Sequence, residues 1–227
     1  MTDPKRPFRP WRWLNMVFCV VGLCMASIIG APQLLAFPYH ANIGATRVYA
    51  EEPLDVATLR PVLARADARL ATSPLYRAPV GTRIFLTSGG WRWRLLALTS
   101  SNALGFTRPV SDLVSDAVIL NRGDIARDRV PTAYGSRSLS GVIAHERTHI
   151  MVRRHLELVA GIRLQAWISE GYADHVAGES TLSEAQAAEL AARGERGQAI
   201  FYYQSRQRVE AALEANGDDV DALLHMR

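Results

Sequence analysis

Residues 139–152, LSGVIAHERTHIMV, spread apolar side chains round most of a helical surface: Leu139, Val142, Ile143, Ile150 and Met151. A helix of that kind is buried, so the rest of the chain must fold around it. Ser138 stands where an N-cap belongs. The same helix carries His145, Glu146 and His149 into the interior, where polar groups without partners cost stability. A fold that accepts this segment must therefore give those three groups something to do. The histidines are four apart, so their imidazoles leave one side of the helix, one turn above the other. Two nitrogens so placed can bind one Zn²⁺. Glu146 is rotated about 100° from His145 and can reach water beside such an ion without ligating it. That is the mechanical content of the pattern H-E-x-x-H.

A catalytic zinc site takes three protein ligands, and two residues compete for the third place. His155 has the spacing of H-E-x-x-H-x-x-G-x-x-H, in which the helix breaks at the glycine. This chain has Val152 there, a β-branched residue poorly suited to the backbone that glycine provides. If the helix continues instead, His155 lies about 240° round from His149 and faces away. The other candidate is Glu170, in WISEGYADHVAG. On a second helix Glu170 and Asp174 share a face. Glu170 can then be the third ligand, and Asp174 can accept a hydrogen bond from the far nitrogen of a ligand histidine, His145 first.

HERTH followed by WISEGYAD resembles the gluzincin metallopeptidases. W-x-x-E-G-x-A is similar to the zinc aminopeptidases. E-x-x-A-D is similar to the membrane-embedded CAAX-processing peptidases and their bacterial heat-shock relatives, and thermolysin-like enzymes share E-x-x-x-D. The resemblance covers mainly residues 140–178 and does not select one family within the clan. It implies a zincin-like fold, Zn²⁺ as cofactor, His145, His149 and Glu170 as ligands, Glu146 as the base and Asp174 behind the ligands. It implies hydrolysis of peptide bonds in a peptide or protein substrate. YYQS is similar to the aminopeptidase element Y-x-x-G, which puts Tyr202 at the oxyanion-stabilising tyrosine, with Ser205 in place of the glycine. DAVILN, 116–121, is by the same analogy the edge to which an extended peptide would add. Two alternatives stand beside this: an inactive zinc-containing binding or scaffold domain, and a metzincin-type site through His155.

The N-terminus constrains location. The segment from Trp13 to Phe37 is apolar except for Asn15, Ser27 and Gln33, long enough to span a bilayer as a helix. Lys5, Arg6, Arg9 and Arg12 precede it, so the N-terminus is expected in the cytoplasm and the domain outside, periplasmic if bacterial. A cleaved signal, giving a secreted protein, is the competing reading. Four of the 26 Lys and Arg lie before residue 13 against one of the 22 acids, so the remainder is close to neutral. Nothing there resembles a basic face for nucleic acid. Cys19 and Cys24 both lie in the apolar run, leaving no thiolate site in the folded part. Oligomeric state is not legible.

The chain divides into 1–38, a basic segment and anchor, and one domain over 39–227. Apolar spacing at 56, 59, 63, 66 and 70 predicts an amphipathic helix, with Pro61 kinking it or marking its start. TRIFLT (82–87), ALGFTR and DAVILN predict strands, while WRWRLLAL fits either type. Thr181 and Glu184 form a capping-box pattern before a helix. AIFYYQSRQRVEAALEANG predicts a helix ending at Gly217, and DDVDALLHM a short last one. The class is α+β: a small mixed sheet, then the histidine helix, the glutamate helix and C-terminal helices.

Overall fold

The structure is a computed structural model that describes residues 10–77, 82–98, 100, 102–108 and 116–226. Helix α1, Pro10–Gly30, has 21 residues, about 31 Å at 1.5 Å per residue. Its stretch Trp13–Gly30 has a mean hydropathy of 2.0 and is exposed along most of its length, meeting the body only at its last turn, where Ile28 is half-buried and Gly30 buried. It is long and apolar enough to cross a membrane. Pro32 opens a 3-10 turn, Pro32–Leu35, after which the chain enters the folded body.

That body is α+β. Five strands form a mixed sheet: β1 (Tyr39–Ile43), β2 (Thr46–Ala50), β3 (Arg83–Thr87), β4 (Gly105–Thr107) and β5 (Ala117–Asn121), in the order β1-β2-β3-β5-β4. The centre is parallel, β2 with β3 and β3 with β5, and both edges are antiparallel. Side chains alternate between faces. Val48, Ile84, Leu86, Val118 and Leu120 point to the main core. Phe85, Ala117 and Ile119 point the other way, onto Leu35, Phe37 and α3 (Trp91–Ala97). The packed body therefore takes in Leu35 and Phe37, on the near side of the expected boundary at 38. The ambiguous WRWRLLAL resolves as helix because Trp93, Leu96 and Ala97 then share the side facing this second core.

The main core is closed by helices. α2 (Val56–Leu70) buries Leu59, Leu63, Ala66 and Leu70 as the spacing predicts, together with Val62. It runs through Pro61 from Asp55, whose carboxylate accepts the Ala57 N–H at 2.9 Å. A two-stranded hairpin, β6 (Val130–Thr132) with β7 (Gly135–Arg137), follows the sheet. Then comes α4, Leu139–Leu156, capped by Ser138 accepting the Gly141 N–H at 2.9 Å. It buries twelve of its residues, from Leu139 to Val152. α5 (Leu158–Arg163) turns back over it, followed by α6 (Ala166–Ala177), α7 (Glu184–Ala192), α8 (Gln198–Asn216) and α9 (Val220–Leu224).

α6 and α8 pack at Gly171, where an added Cβ would stand 2.3 Å from the Ser205 carbonyl oxygen. Backbone meets backbone there, and only hydrogen fits. α8 ends at Gly217, which takes a left-handed φ of 73°. The capping box of α7 is Ser183 with Gln186, two residues later than Thr181 and Glu184. Leu182 is buried against Leu190 and Ile200, and the chain bends at Thr181 and Leu182 before the helix starts at the Ser183 cap. The described residues also hold the β1–β2 and β6–β7 hairpins, which the sequence reading did not foresee.

Candidate metal centre

α4 and α6 place the candidate ligands. His145 and His149 sit one turn apart with ring centroids 4.8 Å from each other. Their Nε2 atoms are 3.2 Å apart. Glu170 Oε2, from α6, lies 3.3 Å from Nε2 of His145 and 3.6 Å from Nε2 of His149. A tetrahedral ion with bonds of about 2.0–2.2 Å separates its ligand atoms by about 3.3–3.6 Å. The observed triangle has that size, so His145, His149 and Glu170 could hold a metal ion.

The far side of each imidazole is also occupied. His145 Nδ1 lies 2.7 Å from Asp174 Oδ1. His149 Nδ1 lies 3.2 Å from the Ser169 hydroxyl. Asp174 is fully buried. It accepts a hydrogen bond from Ser180 Oγ at 3.0 Å and forms an ion pair with the buried guanidinium of Arg137 at 2.9 Å. Burial works against its charge, yet the His145 hydrogen bond and the Arg137 cation hold its pKa below the usual range. Burial also disfavours a charged His145, but Asp174 and Glu170 outweigh it and raise His145 to about 10. Glu170 is lowered, because the two histidines overcome its burial.

Glu146 is buried beside the triangle, and burial pushes its pKa up against the pull of His145 and His149. A raised carboxyl is a better proton acceptor than an ordinary one. Strand β4 reaches it closely: a Cβ at Gly105 would stand 3.2 Å from Glu146 Oε1. Tyr202, on the second turn of α8, has its ring 6.3 Å from that of His145. Its hydroxyl accepts from Gln198 Nε2 at 2.8 Å, and burial raises its pKa, so it stays a donor. Tyr203 turns away and packs against α7 residues instead.

His155 is not part of this arrangement. α4 stays helical through it, and the ring faces the other side, with Nε2 2.5 Å from Asp221 Oδ1. It lines a separate cavity of about 310 Å³ with Arg147 and Arg154.

The triangle opens onto a cleft of about 830 Å³ whose walls include Gly105, Thr107, Tyr134, Arg153, Ile162 and Tyr202. The strand at its rim is β4. β5, expected as the edge, lies between β3 and β4 with both sides paired. Its run Ala117–Leu120, apolar without alternation, is that of a strand covered on both faces. Sequence reasoning missed Ser169, Ser180 and Arg137. Ser169 was accessible as the neighbour of Glu170. The other two come from a loop and a hairpin, with no spacing rule to reveal them. Comparison with known protein families, with curated proteins and with solved structures returned no match.

Proposed function

We propose that the chain is a zinc-dependent peptidase of the gluzincin type, held to a membrane by α1 with its folded body on the extracytoplasmic side. The observation that carries the reading is the His145–His149–Glu170 triangle with Glu146 buried beside it at the floor of an open cleft. A bound Zn²⁺ supplies Lewis acidity, which acidifies water and polarises a carbonyl. His145, His149 and Glu170 would hold it, with Asp174 and Ser169 fixing the rings. Glu146 takes the proton of the attacking water and passes it to the leaving amine. Tyr202, kept protonated, donates to the oxyanion that develops on the scissile carbonyl.

The edge of β4 supports a peptide substrate over a small one. Leu104 accepts the Asn121 N–H at 2.8 Å, so Leu104 and Phe106 direct their amides at β5. By the alternation of antiparallel pairs, Gly105 and Thr107 present theirs outward, where an extended chain can pair. A purely structural zinc would close its fourth position with another protein ligand, and among the described residues the cluster contains three.

The test is proteolysis of an unstructured protein by the zinc-loaded full chain in detergent, read by mass spectrometry. Glu146→Gln should abolish cleavage and keep one zinc per chain. Cleavage at the wild-type rate in this variant would remove Glu146 as the base. Wild-type chain that folds but takes up no metal would end the peptidase reading.

A further inference from the structure

Arg137 is the last residue of β7, eight positions before His145 in sequence and outside both motifs. It is nonetheless buried, and all three guanidinium nitrogens are engaged. Nη1 forms an ion pair with Asp174 Oδ1 at 2.9 Å. Nε points at Glu179 Oε1 at 3.4 Å, and Nη2 donates to the Glu179 carbonyl at 3.2 Å. Glu179 is itself fixed, accepting from the Ser138 N–H at 3.1 Å and the Ser138 hydroxyl at 3.0 Å. Glycine at position 141 leaves it room, since a Cβ there would stand 2.1 Å from Glu179 Oε1 and push the carboxylate aside.

The consequence falls on Asp174. Its Oδ1 is shared by His145 Nδ1 and Arg137 Nη1, and its Oδ2 takes the Ser180 hydroxyl. A carboxylate gripped on three sides cannot rotate. It therefore accepts from His145 Nδ1–H in one direction only, which keeps Nε2 aimed at the triangle as the nitrogen left for a metal ion. Removing the guanidinium would leave a buried carboxylate short of one charged partner and free to turn.

We propose that Arg137 is a positioning residue for the metal centre, acting through Asp174 to fix the ring and tautomer of His145. The inference rests on the metal-site reading. It makes the β6–β7 hairpin part of the centre, although the hairpin supplies no ligand.

The experiment is zinc affinity of the full chain in detergent, by competition with a chromophoric chelator, for wild type, R137M, R137K and E179Q. Loss of a group behind a ligand typically costs about 10–100-fold in affinity, and R137M is expected in that range. R137K can keep one charged contact to Asp174 and should recover part of the loss. E179Q weakens the contacts around Arg137 and Ser138 but leaves Asp174 its guanidinium; it should lower thermal stability and keep the wild-type affinity. The Co²⁺-substituted spectrum should change in R137M and not in E179Q. Equal affinity in R137M and wild type would overturn the proposal. So would an E179Q loss as large as that of R137M, since the arginine would then be only a structural brace. If R137M does not fold, R137K against E179Q decides in the same way. Wild type that binds no metal would instead sink the site reading, and this inference with it.

Discussion

Gly171→Ala tests the packing that brings the glutamate helix to the C-terminal helix. The added methyl carbon would stand 2.3 Å from the Ser205 carbonyl oxygen, 2.6 Å from its carbon and 2.8 Å from a Val209 methyl, where ordinary contact begins at 3.4 Å. The valine can rotate; the carbonyl belongs to the backbone of α8 and cannot. One helix must retreat by about 1 Å in a close-packed interior. Overpacking of this kind costs about 1–3 kcal/mol, while alanine gains about 1 kcal/mol over glycine as a helix former. The clash is with backbone, so its cost lies toward the upper end, and a net loss of about 1–2 kcal/mol remains. For a domain of this size that lowers Tm by about 2–8 °C. The assay is thermal unfolding of the full chain in detergent with chelator present, which removes any contribution from bound metal. If α6 yields, Glu170 leaves the triangle and zinc affinity falls as well. If α8 yields, Tyr202 moves away from the cleft. An unchanged or raised Tm would mean that the helices do not cross at Gly171.

Two other predictions concern the ligands. Glu170→Ala should lose or greatly weaken zinc, and His155→Ala should keep it, both read by elemental mass spectrometry; loss confined to the histidine variant would overturn the ligand assignment. Zinc affinity should rise with pH. Metal uptake must expel the proton of His145, whose pKa stands at about 10 in the metal-free chain, so affinity should climb about tenfold per unit between pH 6 and 9. The same raised pKa stabilises the metal-free fold, in full below about pH 6.5, with the gain lost as pH rises through about 10. A flat affinity profile over that range would contradict the His145–Asp174 geometry.

Most of the long helices were legible because their signals are local, whereas the short α3 was ambiguous and α5 was not foreseen. Four-residue spacing put His145 with His149 and Glu170 with Asp174 on shared faces, Ser138 marked one helix start, and Gly217 marked one end. The β1–β2 hairpin escaped because β1 is mostly exposed and shows no apolar alternation. β6 and β7, three residues each, are too short to carry a period. Strand order is a non-local property. Spacing alone could not place β5 inside and β4 at the rim, although the unbroken apolar run of β5 held the clue. The partners of Asp174 were hidden for a related reason: Arg137 reaches it across 37 positions of sequence.

The connection between α1 and the body has a mechanical consequence. Helix and 3-10 turn are separated by Ala31 alone. The Arg83 guanidinium donates to the Gly30 carbonyl at 3.2 Å and to Gln33 Oε1 at 2.5 Å, and Ile28 packs against the second core. There is no slack tether here. With α1 in a bilayer, the cleft is held at one height and one tilt above the lipid. If the cleft is the peptidase site proposed above, reach becomes a selection rule: a polypeptide would be cut only where it can present an extended stretch at that height, whatever its side chains.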